Sequence, residues 1–409
     1  MNIQKVIKKD LCLGCGICLY DSNINKMEYS SSKGMYIPKL DHNKDYTLAN
    51  AICPGKGYNI YKNAKELYNN NYTIDLGFVD SKYIAHSNIE EVLKNASSGG
   101  IMSQILLYLL EEKIVDKVAV TKFIYTTNGP KTKTIITSDI KEILNSQGSK
   151  YCPVDISSFI NDLKNFKGTL AYIGTPCQIA GIRNIQKLDS LFKEKIKLTI
   201  ANFCGGFKNY NNIKKIAKHH NISFKNITYF QFRGGGQPGS LKMIDKRNYV
   251  FQTPYPKYTS FTGYSKILRC HLCIDATGEL ADIACGDAWL DKCLNDEKAW
   301  SIIICRSKNA TQIIQNMKEK KVITTDYISY KDICHSQRIN LKSKKYRYLS
   351  RNKLYHFLGY TLPIFDGGYQ QCHYPNKIEL KIYITHKIKE LIEKMDLYKY
   401  CRILMRKKY

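Results

Sequence analysis

The sequence predicts an α/β protein: a small cysteine-bearing N-terminal module, an α/β body, and a basic helical tail. Three observations carry this reading. Apolar strand-like stretches at 169–174 and 197–203 each end in a small-residue turn and precede a helical stretch, the alternation of an α/β sheet. Cys12, Cys15, Cys18 and Cys53 set residues 1–75 apart from the rest of the chain. Residues 331–409 hold 18 Lys and Arg against 6 Asp and Glu.

A chain of 409 residues has room for two or three domains. No apolar run approaches the roughly 18 residues that a membrane-spanning helix needs; the strongest, 101–110, is broken by Ser103 and Gln104 and closed by Glu111 and Glu112. The N-terminus lacks an apolar core of signal-peptide length, so a cytoplasmic location is expected. The net charge of +28 fits nucleic acid, an anionic membrane surface or an acidic partner. A composition heavy in Lys, Ile, Asn and Tyr accounts for it equally. Fifteen cysteines in a long chain read as metal ligands and isolated thiols rather than a disulfide scaffold.

Cys12, Cys15 and Cys18 form a C-x2-C-x2-C run, and Cys53 comes far downstream before Pro54. Three thiolates from one tight loop plus a distant Cys-Pro is the bacterial ferredoxin arrangement for a 4Fe–4S cluster. Ser22 and Asn23 stand where a two-cluster ferredoxin carries its next Cys-Pro, so one cluster is expected here. Zinc more often takes two C-x2-C pairs.

In the body, 36–40 and 117–120 read as strands, 101–110, 178–185 and 211–219 as helices, 226–260 as β-rich and 310–320 as helical. Cys177 comes after the 169–174 strand, Cys204 after the 197–203 strand, and Cys270 and Cys273 form a C-x2-C pair. Successive parallel strands end on one sheet edge, so these four thiols can form a second set, for zinc or iron–sulfur. Cys152, Cys285, Cys293, Cys305, Cys334, Cys372 and Cys401 read as buried or incidental thiols. Ser97, Ser98, Gly99 and Gly100 precede a helix and read either as a phosphate cradle or as an ordinary cap. The loop 146–151, with Ser149 and Lys150, and the segment 281–289, with Gly286, Asp287 and Trp289, are further polar turns. A dinucleotide-binding G-x-G-x-x-G is absent. In the tail, Ile378, Leu380, Ile382 and Ile384 alternate as in a strand, while Ile388, Leu391, Ile392, Met395 and Leu397 are spaced as on a helix face. That stretch reads as a solvated terminal helix, or one meeting a partner or membrane surface.

Taken in order, Ala96-Ser-Ser-Gly-Gly100, Gly148-Ser-Lys-Tyr151, Gly174-Thr-Pro-Cys-Gln-Ile-Ala-Gly181, Phe203-Cys-Gly-Gly206, Phe232-Arg233, the Cys270/Cys273 pair and Ala281-Asp-Ile-Ala-Cys-Gly-Asp287 resemble the coenzyme F(420) hydrogenase/dehydrogenase beta-subunit family. The resemblance spans about residues 1–310. It implies an iron–sulfur flavoprotein oxidoreductase with FAD, a second 4Fe–4S cluster on Cys177, Cys204, Cys270 and Cys273, and an N-terminal ferredoxin-type module at 1–75. The flavin-binding region falls at 84–165, the second iron–sulfur region at 166–335 and the basic tail at 336–409. Ser97, Ser98, Gly99, Gly100, Ser149, Lys150, Gly174, Thr175, Gly286 and Asp287 fall near the flavin, and Lys150 and Arg233 are candidates for stabilising a reduced flavin or an acidic substrate.

The family's N-terminal module often carries eight cysteines where this chain keeps four, and its Cys-His-Gly is here Cys204-Gly205-Gly206. Implied partners are ferredoxin or another electron carrier and a small-molecule substrate, a glycan-pathway one given the family's bacterial members. Specific nucleic-acid binding is not expected, and the basic tail leaves room for peripheral membrane contact. The rival readings are a zinc-containing basic binding module and a non-redox polysaccharide-assembly enzyme.

Overall fold

The computed structural model describes residues 1–41, 43–258, 266–296, 298–367 and 375–394. Its centre is an eight-stranded mixed sheet. In chain order the strands are β1 (Ser81–Ser87), β2 (Lys117–Thr126), β3 (Gly129–Thr137), β4 (Leu170–Gly174), β5 (Ile196–Asn202), β6 (Ile283–Asp287), β7 (Ser301–Cys305) and β8 (Ile323–Tyr327), arranged β8-β1-β7-β6-β5-β4-β2-β3. The four central strands β2, β4, β5 and β6 run parallel; the flanking pairs are antiparallel.

Both faces of the sheet are covered, as parallel strands require. The helix Ile101–Glu111 inserts Ile101, Ile105, Leu106 and Leu109 against one face, together with Ala310, Ile313 and Met317 of the helix Lys308–Glu319. On the other face the helix Pro176–Leu188 buries Ile179, Ile182 and Ile185. Leu11, Leu13, Ile17 and Ile52 of the N-terminal segment join this same core, so the segment packs directly on the sheet's helical layer. A separate antiparallel three-stranded sheet (Ile227–Gln231, Ser240–Asp245, Val250–Pro254) sits in the β-rich stretch.

The tail's mixed period resolves into one helix: the strand-like alternation at Ile378–Ile384 lies within Asn376–Lys394. Its inward face is polar and aromatic, with Glu379 held by Arg347 at 2.7 and 2.8 Å and Tyr383 against Tyr355. The apolar residues therefore point outward, with Ile384, Ile388 and Leu391 about half exposed. The basic stretch before it turns inward: Lys344, Lys345 and Arg351 are buried. Met395, Leu397, Cys372 and Cys401 lie outside the described residues.

Candidate functional site: two thiol sets beside the carboxyl edge of the sheet

Cys12, Cys15, Cys18 and Cys53 line one small cavity with Leu13, Gly16, Pro54 and Gly55. The loop that brings the first three together turns through Gly14 and Gly16, at φ 64° and 74°, a region costly for residues with a Cβ. A Cβ on Gly16 would collide with Asp155 Oδ1. The Gly14 N–H donates to Cys12 Sγ at 3.4 Å. Burial pushes the Cys12 thiol up to about 12 and raises Cys15, Cys18 and Cys53. In Cys15 the neighbouring Cys53, Cys12 and Cys177 sulfurs add to the effect of burial. Buried thiols that oppose one another's ionisation become thiolates together only around a positive core.

Cys177, Cys204, Cys270 and Cys273 line a second cavity with Leu13, Pro176, Phe207, Arg269, Asp275 and Lys344. Strand register explains the meeting. Ala201 of β5 pairs with Gly174 of β4, so both strands end on one edge. Cys177 then falls in the first turn of the helix Pro176–Leu188, and Cys204 lies just beyond β5. The short helix Leu268–His271 presents the C-x2-C pair. The Gly206 N–H donates to Cys204 Sγ at 3.3 Å. Burial works to raise Cys273, but Lys344 and Arg269 bring it below the usual thiol range.

The two cavities share Leu13 as a wall, and Tyr172 lies within electrostatic reach of both Cys15 and Cys177. Arg269, fully buried, ties the sets together: Nε donates to the Gly55 carbonyl at 2.8 Å and Nη2 to that of Pro54 at 2.9 Å, just after Cys53. Its Nη1 is buried and has no hydrogen-bond partner. A guanidinium placed between two thiol sets with a free donor suits anionic sulfur-ligated groups. Four thiolates per cavity match the donor set of a 4Fe–4S cluster. Among the described residues no group of three or more His, Cys, Asp or Glu is arranged to hold a single metal ion.

A third arrangement lies at the end of β6. Asp287 accepts from Arg233 Nη1 at 2.6 Å, and the same guanidinium donates to Tyr151 Oη at 3.1 Å, to the Ser97 carbonyl at 2.7 Å and to the Pro238 carbonyl at 2.7 Å. Tyr255 and Trp289 stack around it, 4.8 and 5.5 Å from its centre. Arg233 is 2% exposed, and its partners anchor it.

The 96–100 loop turns its groups inward. The Ser98 hydroxyl donates to the Trp300 carbonyl at 2.7 Å, the Gly99 N–H donates to Ser301 Oγ at 3.0 Å, and the Ser97 hydroxyl donates to the Arg233 carbonyl at 3.2 Å. These three donors lock the loop to β7 and to the Arg233 turn. Lys150 folds back on the carbonyls of Ser146, Gln147 and Gly148, with Ser149 partly buried beside it. Burial lowers Lys150 to about 8. Gly174 ends β4, and Thr175 caps the next helix, with Oγ1 3.2 Å from Cys177 Sγ. Gly286 faces the Phe203 ring, with no space for a side chain. Gly174 and Thr175 thus sit with the second thiol set, while Gly286 and Asp287 sit with Arg233.

Sequence reasoning missed the cations Arg269, Lys266, Lys344 and Arg351. Arg269 directly precedes Cys270 and was within reach. Lys344 and Arg351 come from the tail, which only the fold brings back to the C-x2-C loop.

The fold and the site define an α/β protein with two four-thiol sets beside its mixed sheet. Two family models match the sequence, both of the coenzyme F(420) hydrogenase/dehydrogenase beta subunit: that of its N-terminal part over residues 82–161 and that of its C terminus over residues 168–331. The chain belongs to the coenzyme F(420) hydrogenase/dehydrogenase beta-subunit family.

It is similar to the coenzyme F(420) hydrogenase subunit beta of Methanococcus voltae, 26% identical over 259 residues, covering 60% of this chain and 83% of that protein. It is 21% identical over 344 residues to a coenzyme F(420)-dependent sulfite reductase of Methanocaldococcus jannaschii, covering 80% of this chain but 49% of that enzyme. A solved chain of the F(420)-reducing NiFe hydrogenase complex from Methanosarcina barkeri shares the fold, with a TM-score of 0.55 and 20% identity, over 71% of this chain and 98% of that one. Members of the family are oxidoreductases, and this chain is one of them. Among the described residues no helix is long and apolar enough to cross a membrane.

Proposed function

We propose that the protein is an iron–sulfur flavoprotein that moves electrons between a reduced carrier, of ferredoxin or deazaflavin type, and a substrate, through two 4Fe–4S clusters and FAD. The observation that carries this is the common Leu13 wall between two cavities lined by four cysteines each. Clusters supply one-electron transfer and a flavin supplies two-electron chemistry, so together they join the two kinds of carrier. In this reading residues 1–75 form a ferredoxin-type entry domain, 84–165 and 166–335 the flavin and inner-cluster regions, and 336–409 the tail. The acceptor in this reading is a small molecule, of a glycan pathway.

The chain's own part is to hold and insulate. Cys12, Cys15, Cys18 and Cys53 hold the outer cluster, and Cys177, Cys204, Cys270 and Cys273 the inner one. The Gly14 and Gly206 N–H groups orient sulfur lone pairs, which sets cluster potentials. Leu13 and Tyr172 keep water from the space between the sets. Arg233, paired with Asp287, held by Tyr151 and packed between Tyr255 and Trp289, braces the sheet edge beside the flavin as a positioning residue rather than a free cation. The loop that carries Ser149 and Lys150 packs on the Arg233 turn through Gly148, and Gly286 packs on Phe203. The test is anaerobic purification followed by acid release of flavin: FAD, with a visible spectrum bleached by a low-potential donor, supports the reading, and a colourless zinc protein overturns it.

Arg233→Lys keeps the charge but loses the planar fork. A lost charge-assisted hydrogen bond is worth about 1.5–3 kcal/mol. Flavin retention should fall about 10- to 100-fold with iron content unchanged, as read by flavin release after dialysis. Lys150 provides a pH signature. Its ammonium is present below about pH 8 and lost above it. Binding of an anionic ligand should therefore weaken as pH rises through 8, and Lys150→Met should flatten that profile, measured as KM against pH.

The outward apolar face of Asn376–Lys394, interleaved with Lys377, Lys381 and Lys387, supports peripheral contact with an anionic membrane. Co-sedimentation with vesicles rich in acidic phospholipid, lost in the Ile384→Glu/Ile388→Glu variant, is the expected result. No binding at low salt contradicts it.

A further inference from the structure

The lysines and arginines that surround the second thiol set come from two separate parts of the chain, 266–269 and the tail. Lys266 donates to the Gly205 carbonyl at 2.7 Å, beside Cys204. Arg269 is fully buried at the base of the C-x2-C pair. Lys344, 3% exposed, reaches in from the tail; its Nζ lies 3.7 Å from Cys273 Sγ and 2.5 Å from the Asp275 carbonyl. Arg351, 4% exposed, lies further on in the same tail. Its Nε and Nη2, like Nη1 of Arg269, are buried without a hydrogen-bond partner.

The charges act on the sulfurs. Lys344 interacts with Cys273, Cys204 and Cys270, and Lys266 with Cys270 and Cys204. Arg269 interacts with Cys273, Cys177 and Cys270, and Arg351 with Cys273. On the acidic side, Asp275 is buried here and bound by the N–H groups of Gly278 and Glu279. Glu279 is neutralised by Lys345. The N-terminal set is poorer in cations. Lys33 acts on Cys12 and is itself paired with Asp10; Lys56 and the shared Arg269 act on Cys53. Lys33 and Lys56 are only partly buried, as is Lys266 at the rim of the second cavity, so water screens all three; the difference between the two sites rests on the buried Lys344 and Arg351.

We infer that this buried cationic collar, half of it supplied by the tail, holds the inner site at a higher reduction potential than the N-terminal site, so that electrons run from Cys12–Cys15–Cys18–Cys53 inward. The inference rests on the reading that both sets hold 4Fe–4S clusters. Reduction adds one negative charge to a cluster, and a buried cation stabilises that state far more than an exposed one. The balance is one electron: the outer cluster is oxidised by one as the inner cluster is reduced by one. The electron enters from a low-potential one-electron carrier, and no bond is made or broken. The tail is then part of the redox centre, and Lys344 and Arg351 act on it through charge, as positioning residues.

The test is a potentiometric titration of anaerobic holoprotein followed by electron paramagnetic resonance, with the two signals assigned using Cys53→Ala. In the wild type the inner signal should appear first as potential is lowered. Lys344→Met should shift the inner midpoint downward and leave the outer one in place, while Lys344→Arg restores it. Because Lys344 also holds the Asp275 carbonyl, Lys266→Met, at the cavity rim, provides an independent variant with the same expected direction. The outer site reducing first, or an inner midpoint unmoved in both methionine variants, overturns the inference while leaving the two-cluster reading intact. Absence of iron from either wild-type site overturns both.

Discussion

Cys53→Ala should lower bound iron from about eight to about four atoms per chain, the loss of one 4Fe–4S cluster, and leave the second cluster in place. The reason is the separation of the ligand sets. Cys53 lines only the cavity shared by Cys12, Cys15 and Cys18, whereas the inner cavity takes its thiols from Cys177, Cys204, Cys270 and Cys273. Cys204→Ala should give the reciprocal loss. Iron and acid-labile sulfide assays on anaerobically purified variants read the result. Loss of all iron in Cys53→Ala, or of none, contradicts independent sets. The clamp from Arg269 to the Pro54 and Gly55 carbonyls keeps the loop after Cys53 in place when the thiol is gone, so the variant should still fold around the inner site.

Lys345→Met should destabilise the protein by about 3–5 kcal/mol, the cost of leaving one partner of a buried ion pair alone. The Lys345 and Glu279 side chains are 3% and 1% exposed; Lys345 donates to Glu279 Oε1, and Oε2 is buried with no hydrogen-bond partner. Glu279→Gln combined with Lys345→Met should recover most of the loss, because the uncompensated charge goes with it. Denaturant midpoints of the anaerobic protein measure both. An effect below about 1 kcal/mol for the single variant would fit a surface pair and would remove the tail from the body's core.

The N-terminal thiol set was legible because its spacing is local: three thiols in seven residues, with two glycines, allow few other shapes. The second set was legible only through the rule that parallel strands end on one edge, and the β4–β5 register is what places Cys177 near Cys204. The tail was hard to read for a physical reason. Charge run and hydropathy period both assume that polar residues face water. Here Lys344, Lys345 and Arg351 turn inward to face sulfur, Glu279 and Glu379, and the terminal helix spends its polar face on Arg347, Tyr355 and Tyr360. Its isoleucines, left outside, mimic a strand. The strand read at 117–120 runs to Thr126 and returns as β3 through the two-residue turn Thr127-Asn128, with Gly129 paired to Thr126. In the 96–100 loop the serines and glycines looked free to bind phosphate, but the sequence does not show that Trp300 and Ser301 already engage them.

The central claim is that two clusters lie side by side with only Leu13 and its neighbours between them. Electron paramagnetic resonance of the fully reduced, anaerobic wild-type protein tests it most directly. Two cluster signals that broaden and split each other, resolving into a simple unsplit spectrum in Cys53→Ala, are the predicted result. Two signals that superpose without interaction, or a single cluster in the wild-type chain, would contradict the account.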